Sequence, residues 1–271
     1  QHTNTPVKTH PIVWSPRPIT FEEYQKEFKQ EKNNILKGNS FLANLTCITP
    51  VESNLSLDDI FVHSEATYKI RLANHFVCFS PETFIKINNG IISSYPMKGT
   101  IRADLPRAAE QLLEDEKEMA EHATITDLIR NDLSMVAHNV SVTRYRYIDK
   151  LTTNSGKILQ TSTEITGRLP DNYHQNLGNI LFKLLPAGSI TGAPKKKTTE
   201  IIKEAENYDR GFYTGIAGYF DGFSLDSTVM IRFVELQNGK LYFKSGGGIT
   251  CQSNAISEYQ EMIQKIYVPI Y

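Results

Sequence analysis

The chain has 271 residues, a formal net charge of −1 and 40% hydrophobic residues, which is typical of a folded globular protein. This charge gives no electrostatic reason to expect nucleic acid or an anionic membrane as a partner. No run of 18 apolar residues and no signal-peptide core occurs, so we predict no membrane segment. The three cysteines, Cys47, Cys78 and Cys251, form no CxxC pair, which predicts reduced thiols in a cytoplasmic protein.

Residues 1–20 contain four of the twelve prolines and few periodic apolar positions, so we interpret them as an N-terminal arm or an edge segment. A single domain is predicted over residues 21–271. It opens with a helix at Phe21–Leu36, which Thr20 starts and Gly38 ends. Strand patterns follow at residues 41–48, 68–79, 83–87 and 91–95, with Asn88-Asn89-Gly90 as a hairpin turn before the last of them.

In the second half, helical and strand patterns again occur in groups. The longest helical stretch covers residues 105–135, and further helices are predicted at 174–185, from Pro194 to about 206, and at 253–267. Strands are predicted at 140–148, 156–166, 213–220, 228–236 and 240–244. Runs of strands with helices set between them indicate an α+β fold with large, mainly antiparallel sheets, not a doubly wound parallel sheet.

The C-terminal segment contains the densest group of candidate site residues. Three consecutive glycines, Gly246, Gly247 and Gly248, would let a backbone approach a ligand and offer N–H groups to an anion. In the following helix, Glu258, Glu261 and Lys265 are spaced to share one face, and paired carboxylates there favour a hard cation. The alternative is a glycine-rich turn before a helix with a solvated acidic face.

Other single residues are open to two interpretations. The loop Gly188–Lys195 departs from the phosphate-loop spacing, so it is either a tight turn or an anion-binding loop in which Thr191 contacts a ligand. Arg232 interrupts an apolar strand and either faces water or binds a carboxylate. Lys98 follows a strand next to Gly99; it is either a surface charge or an amine nucleophile.

Together these segments resemble the chorismate-binding enzymes, which include anthranilate, aminodeoxychorismate, isochorismate and salicylate synthases. The resemblance covers nearly everything from about residue 20 onward and is carried by SPETF (80–84), PMKGT (96–100), KEMAEHATITDLIRNDL (117–133), TSTEITGRL (161–169), LLPAGSITGAPKKKTTEIIKEAE (184–206), RGFYTGIAGYFDG (210–222), IRF (231–233) and GGGIT…SEYQEMIQK (246–265). It implies that family's sandwich of large β-sheets with helices outside. A lysine in PxKGT, here Lys98, resembles aminodeoxychorismate synthase component I, whereas the anthranilate and isochorismate enzymes have alanine there.

The resemblance also implies a set of site residues and a cofactor. Glu121, Glu258 and Glu261 would hold Mg²⁺, and the ring carboxylate of chorismate would lie on that ion. Substrate contacts would come from Thr191, Gly192, Tyr213, Arg232, Gly246, Gly247, Gly248 and Lys265. Lys98 would attack the ring at C2 as a neutral amine while Glu82, kept protonated by a dry site, gives a proton to the departing 4-hydroxyl.

The implied reaction replaces that hydroxyl with ammonia and belongs to p-aminobenzoate and folate synthesis. Ammonia would come from a separate glutaminase subunit. One departure stands out, because Gln160 occupies a position where many relatives have a histidine. Two alternatives therefore stay open: an anthranilate synthase with an atypical lysine, and a catalytically weak chorismate-binding or partner-docking protein.

Overall fold

The computed structural model describes residues 11–153 and 156–270. Within this part of the chain the helices are α1 (Phe21–Leu36), α2 (Leu57–His63), α3 (Ala108–Glu114), α4 (Glu116–Ser134), α5 (Leu177–Leu184), α6 (Lys195–Ala205) and α7 (Ala255–Gln264). The strands are β1 (Trp14–Pro16), β2 (Leu42–Ser53), β3 (Tyr68–Leu72), β4 (Phe76–Ser80), β5 (Thr83–Asn88), β6 (Ile91–Ser94), β7 (Met97–Arg102), β8 (His138–Thr153), β9 (Gly156–Arg168), β10 (Gly192–Ala193), β11 (Ile216–Phe220), β12 (Leu225–Val229), β13 (Phe233–Gln237) and β14 (Lys240–Ile249).

The strands form two seven-stranded sheets, and the strand pairings of both are antiparallel. The first sheet has the order β1-β2-β14-β13-β4-β3, with β10 paired to β2. The second has the order β11-β12-β5-β6-β9-β7, with β8 paired to β9. The predicted α+β class with large antiparallel sheets is confirmed. Among the described residues, no helix is both long and apolar enough to cross a membrane.

Apolar residues divide into cores on either side of the sheets. The largest core lies between the first sheet and helices α1, α2 and α7, and contains Tyr24, Phe28, Leu45, Phe243 and Met262. A second core lies beneath α4 and α5 on the other sheet. A smaller cluster of Phe76, Cys78, Tyr213, Met230 and Phe233 includes residues of β4 and β13, and Ala217 of β11 in the other sheet packs against it. Helices thus cover the outer faces, and the two sheets meet around this small cluster.

The first helix matches its prediction at both ends. Thr20 accepts the backbone N–H of Glu23, and the Glu23 side chain accepts the N–H of Thr20, which makes a capping box. Gly38 follows the helix with a φ of 77°, a left-handed conformation that favours glycine. The proposed N-terminal arm includes residues 1–10, which lie outside the described part; further along it, Trp14–Pro16 pairs with β2 as an edge strand.

Several predicted elements are divided in the structure. The strand predicted over 68–79 is a hairpin, β3 and β4, with Asn74 at a φ of 61°. The helix predicted over 105–135 breaks at Asp115, which caps α4 through its side chain. The strand predicted over 228–236 was also wrong, since β12 ends at Val229 in one sheet and β13 begins at Phe233 in the other. Arg232 lies at that crossing with a φ of 54°.

The three glycines do not form a turn. Gly246, Gly247 and Gly248 continue β14 and pair with Thr46, Leu45 and Asn44 of β2. A Cβ on Gly246 would lie 2.1 Å from the carbonyl oxygen of Leu45, so only glycine fits at this position. On its other side, β14 pairs with β13 as far as Lys244. The glycine segment therefore extends past the end of β13, where a cavity opens.

Candidate active site

A cavity of about 290 Å³ lies beside the glycine segment of β14; we call it the inner cavity. Most of the predicted site residues line it: Glu82, Lys98, Thr191, Gly192, Tyr213, Arg232, Gly246, Gly247, Gly248, Glu261 and Lys265. The two remaining ones, Glu121 and Glu258, line a neighbouring cavity of about 410 Å³, the acidic cavity. Lys98, Arg232, Gly248, Glu261 and Lys265 belong to both, so the two form one continuous cleft.

Lys98 reaches this cleft because of an irregularity in strand β7. The register of β7 on β9 shifts between Lys98, opposite Thr161, and Thr100, opposite Gln160. Gly99, at the shift, has a φ of 71°, as a β-bulge requires. The Lys98 side chain is 28% exposed, and its Nζ lies 3.7 Å from the position that a Cβ on Gly248 would take. The amine therefore points into the cleft and not to bulk solvent.

Lys98 is held at its amine and at its backbone carbonyl. Its Nζ donates to Glu121 Oε2 of α4 at 3.2 Å. Behind it, the Thr161 hydroxyl donates to the Lys98 carbonyl and lies 3.4 Å from His122 Nδ1. His122 is fully buried and its Nε2 lies 2.6 Å from the Thr163 hydroxyl. Burial, with the positive charges of Arg146 and Lys98, lowers the pKa of His122 to about 4, so this ring is neutral.

Glu82 faces the same cavity from the chain entering β5. Burial raises the pKa of its carboxyl above the ordinary value, although a hydrogen bond from Ser189 and the positive charges of Lys98 and Arg232 oppose the shift. Its backbone carbonyl accepts the Thr228 hydroxyl at 2.6 Å and the Val229 N–H at 3.2 Å, which fixes the residue against β12. A carboxyl with a raised pKa close to a lysine amine is suited to give up a proton to a leaving group.

Helix α7 presents its predicted polar face to the glycines. Glu258 Oε2, Glu261 Oε1 and Lys265 Nζ lie 3.6, 3.6 and 3.7 Å from the position of a Cβ on Gly247. Lys265 Nζ donates to Glu261 at 2.7 Å and to the Gly246 carbonyl at 2.8 Å. Burial lowers the pKa of Lys265 against the opposing effect of Glu261. The residues spaced for a common face in the sequence therefore do share one.

The acidic cavity contains four carboxylates from two helices, Glu118 and Glu121 of α4 and Glu258 and Glu261 of α7. Burial, and then the neighbouring acid, raises the pKa of Glu118 and of Glu258. Burial acts to raise the pKa of Glu261 too, but the Lys265 ammonium lowers it overall. Excess carboxylate oxygen of this kind fits a hard cation such as Mg²⁺, which takes one or two carboxylates with waters and a substrate oxygen.

The arrangement is not yet a closed metal shell. Within the described ranges, no three acidic, histidine or cysteine side chains converge closely enough to surround an ion. Glu121 is engaged by Lys98 at 3.2 Å and by Lys117 at 3.8 Å, and Glu261 by Lys265. A bound ion would have to compete with these lysines for the same oxygens.

Arg232 and Tyr213 supply the opposite wall. Tyr213 is 4% exposed, and Arg232 lies with its guanidinium carbon 5.5 Å above the ring of Tyr267. Thr191, 3% exposed, donates its hydroxyl to the Ala187 carbonyl, and its own carbonyl accepts the Asn44 N–H at 3.0 Å. The lining of the cleft thus includes the cationic side chains of Lys98, Arg232 and Lys265, which suits a small multivalent anion.

Comparison with known proteins identifies the family of the chain. A sequence model of the chorismate binding enzymes matches residues 1–270. The chain belongs to the chorismate-binding enzyme family. It is similar, at 54% identity over 260 residues, to an uncharacterized PabA-like protein of Haemophilus influenzae, covering 96% of this chain and 79% of that one. An aminodeoxychorismate synthase component 1 of Salmonella typhimurium is 39% identical over 196 residues, or 69% of this chain and 42% of the relative.

Solved structures of the family share the fold. Anthranilate synthase component I of Streptococcus pneumoniae superposes with a TM-score of 0.80 at 28% identity, covering 94% of this chain and 59% of that protein. The chain thus spans about half of the length of the named synthases that it matches. The cleft is lined by residues of this chain.

Two contributors to the cleft of this chorismate-binding protein were missed in the sequence. Ser189 donates to Glu82, and Glu118 adds a fourth carboxylate. The sequence gives no indication of these roles, because a serine in a loop or a glutamate on a helix is usually exposed to solvent. Outside the cleft, Lys195 of the lysine run at 195–197 pairs with Asp132 at 2.6 Å and donates to the Leu184 carbonyl. Gln160 lies in the inner cavity, opposite Thr100.

Proposed function

We propose that this protein is an aminodeoxychorismate synthase component I, which converts chorismate and ammonia into 4-amino-4-deoxychorismate and water. The observation that supports this most directly is the placement of Lys98: its amine lies in a cleft with Glu82, the cations Arg232 and Lys265, and four further carboxylates. A lysine amine pointing away from solvent can act as a nucleophile once it is a free base. The similarity to the named synthases supports the substrate class.

The first displacement forms a bond between Lys98 Nζ and ring carbon C2. The two ring double bonds shift, the C4–oxygen bond breaks, and Glu82 gives its proton to the departing hydroxyl, which leaves as water. The lysine nitrogen then loses a proton. In the second displacement ammonia attacks C4, the double bonds shift back, and the C2–nitrogen bond to Lys98 breaks as that nitrogen regains a proton. The new ammonium loses its proton to the Glu82 carboxylate.

The two carboxylates of chorismate have separate places in this proposal. Arg232 and Tyr213 hold the enolpyruvyl carboxylate, and Thr191 and Gly192 line the wall beside it. The ring carboxylate lies by Gly246, Gly247, Gly248 and Lys265. Glu121 and Glu261, with Glu258 directly or through water, would hold Mg²⁺, which when bound supplies positive charge to that carboxylate.

Ammonia is the species that attacks, and we propose that a separate glutaminase subunit supplies it. Alone, the chain then depends on ammonium at a pH high enough to give free ammonia. Gln160, opposite Thr100 in the β7–β9 pairing, cannot transfer a proton, so acid catalysis falls to Glu82.

The test is incubation with chorismate and Mg²⁺ without ammonium, followed by intact-mass and peptide analysis. An adduct of chorismate less water is expected on Lys98, and it should be absent in Lys98→Ala. Adding ammonium should then release 4-amino-4-deoxychorismate, which needs a lyase to yield p-aminobenzoate. Direct formation of o-aminobenzoate would show an anthranilate synthase instead. Binding of chorismate without adduct or product would favour a weak binding protein, the alternative that Gln160 suggests.

A further inference from the structure

The segment 206–214 connects α6 to the approach of β11 and carries Tyr213 into the inner cavity; we call it the strap. It has no helix or strand of its own within these residues. A segment of this kind would be expected to shift, yet Tyr213 is 4% exposed. Two largely buried ion pairs, Arg210–Glu206 and Lys244–Glu235, fix the strap.

The first pair holds the strap against β2 and against the turn that precedes β10. Arg210 donates to both Glu206 oxygens, at 2.8 and 2.6 Å, and to the carbonyls of Ile190 at 3.0 Å and Asn44 at 2.5 Å. Glu206 in turn accepts the backbone N–H and the hydroxyl of Thr46, both at 2.8 Å. This stretch of the β2 edge lies between its pairings with β10 and β1, so the side-chain pair replaces a missing strand partner there.

The second pair, Lys244 and Glu235, holds the strap against β14 and β13. Lys244 of β14 has a side chain with no exposed surface, and its Nζ has three acceptors. These are Glu235 Oε2 at 2.8 Å, the Arg210 carbonyl at 2.8 Å and the Asp209 carbonyl at 3.4 Å. The ammonium also lies 5.5 and 5.7 Å from the ring centres of Tyr208 and Phe233. Each of its three N–H groups therefore has an acceptor, and two of them act on strap backbone.

A direct chain of bonds leads from Lys244 to Tyr213. The Arg210 carbonyl that accepts from Lys244 also accepts the backbone N–H of Tyr213, at 3.0 Å. Gly211 between them has a φ of 58°, and a Cβ there would lie 3.8 Å from Glu235 Oε1. The turn that delivers Tyr213 to the cavity is thus closed over the Lys244–Glu235 pair.

We propose that Lys244 is a positioning residue: by holding the Arg210 carbonyl it sets the place of Tyr213 against the bound carboxylate of the substrate. The inference rests on the proposed function for the identity of that substrate. Stability alone does not account for the pair, because buried ion pairs can often be replaced by apolar residues of similar size without loss. An apolar side chain at this position would fill the space, but it would remove the Lys244 donor from the Asp209 carbonyl and leave the Arg210 carbonyl with the Tyr213 N–H alone.

The decisive variant removes the pair without leaving a buried charge: Lys244→Met combined with Glu235→Gln. Its matched control is Lys86→Met with Asp226→Asn, which removes a half-exposed pair 3.1 Å long in the other sheet. Three quantities are compared with the wild type: the melting temperature, the chorismate dissociation constant and amide hydrogen exchange over the strap. We expect near-native melting, a chorismate affinity roughly tenfold to a hundredfold weaker, and faster exchange of the Tyr213 N–H. The control should change neither of the last two.

Tyr213→Phe completes a double-mutant cycle. If Lys244 acts through Tyr213, its loss should weaken chorismate binding much less in the Tyr213→Phe background than in the wild type. Additive effects, or native affinity and native protection of the Tyr213 N–H in the paired variant, would overturn the positioning role. A wild-type protein that neither binds nor converts chorismate would instead overturn the proposed function. Hydrogen exchange would then decide the inference by itself, since it needs no substrate.

Discussion

Nζ of Lys98 and Oε2 of Glu121 lie 3.2 Å apart, one on strand β7 and the other on helix α4. The same Glu121 lines the acidic cavity, where the proposed ion would bind. One carboxylate therefore faces both the proposed nucleophile and the proposed metal, and the two cations compete for it.

This competition predicts opposite effects of two substitutions on Mg²⁺ binding. Lys98→Met removes a positive charge next to Glu121, so Mg²⁺ affinity should rise by several-fold. Glu121→Gln removes the ligand itself, so affinity should fall by at least the roughly 10–100-fold that loss of an outer-shell partner costs. Titration calorimetry without chorismate measures both. Equal affinities in the two variants would place the ion elsewhere.

The pKa of Glu82 predicts the pH dependence of adduct formation. Because burial raises this pKa, the carboxyl stays protonated above the ordinary range, and the ratio of the wild-type adduct rate to that of Glu82→Gln should fall as pH rises through the raised value. The Ser189 hydroxyl lowers the pKa, so Ser189→Ala should move this fall to higher pH. Rapid-mixing mass analysis without ammonium avoids the titration of ammonia itself. A Glu82→Gln variant that kept the same pH profile would assign the proton to another group.

The positions of the glycine segment should differ in how well they tolerate an added side chain. A methyl group on Gly246 would lie 2.1 Å from the Leu45 carbonyl, so Gly246→Ala should cost at least about 3 kcal/mol or prevent folding. At Gly247 the nearest atoms are 3.6 Å away, so Gly247→Ala should fold with a stability change below about 1 kcal/mol. Its methyl group would nevertheless enter the cleft and weaken chorismate binding. Urea unfolding and binding titrations of both variants check the order.

The buried Glu31 predicts that the protein loses stability as the pH rises from the acidic range toward about 8. Its side chain is fully buried and neither oxygen has a partner among the described residues; burial, with Glu206 nearby, raises its pKa to about 8. A raised carboxyl pKa means that the folded state loses stability as pH rises from the unfolded value toward 8. Between pH 5.5 and 9 this loss is at most about 3 kcal/mol.

The isosteric variant Glu31→Gln should lack this dependence. It should be the more stable protein at pH 9 and similar to the wild type near pH 5. Glu27, whose pKa burial raises to about 7, is present in both proteins and cancels in the comparison. Urea unfolding at the two pH values is the measurement, and parallel pH curves would show that Glu31 has a hydrogen-bonding partner in solution.

Two substitutions of Arg232 should differ in their effect on stability and agree in their effect on chorismate binding. Its φ of 54° costs a residue with a Cβ roughly 1–2 kcal/mol, which glycine avoids. Arg232→Gly should therefore be at least as stable as Arg232→Ala, while both lose the proposed carboxylate contact and bind chorismate equally weakly. Thermal unfolding and calorimetry test the pair. Equal melting temperatures would show that the left-handed backbone carries no strain.

The sequence by itself determined those features that depend only on residues close together in the chain. The Thr20–Glu23 capping box and Gly38 define α1, and the spacing of Glu258, Glu261 and Lys265 defines the polar face of α7. Helical periodicity and side-chain chemistry need no distant partner, so these features were predictable. The grouping of most candidate site residues followed from the family resemblance, not from spacing.

Only the tertiary structure decided which distant residues meet. The chain crosses from one sheet to the other at Arg232, and the glycines extend β14 past the end of β13; both depend on strand pairing that the local pattern does not encode. The contacts Ser189–Glu82 and Lys244–Arg210 likewise join residues far apart in sequence. The role of a serine hydroxyl or a lysine amine depends on which acceptor folding brings next to it. The sequence shows the donor, but it does not show that acceptor.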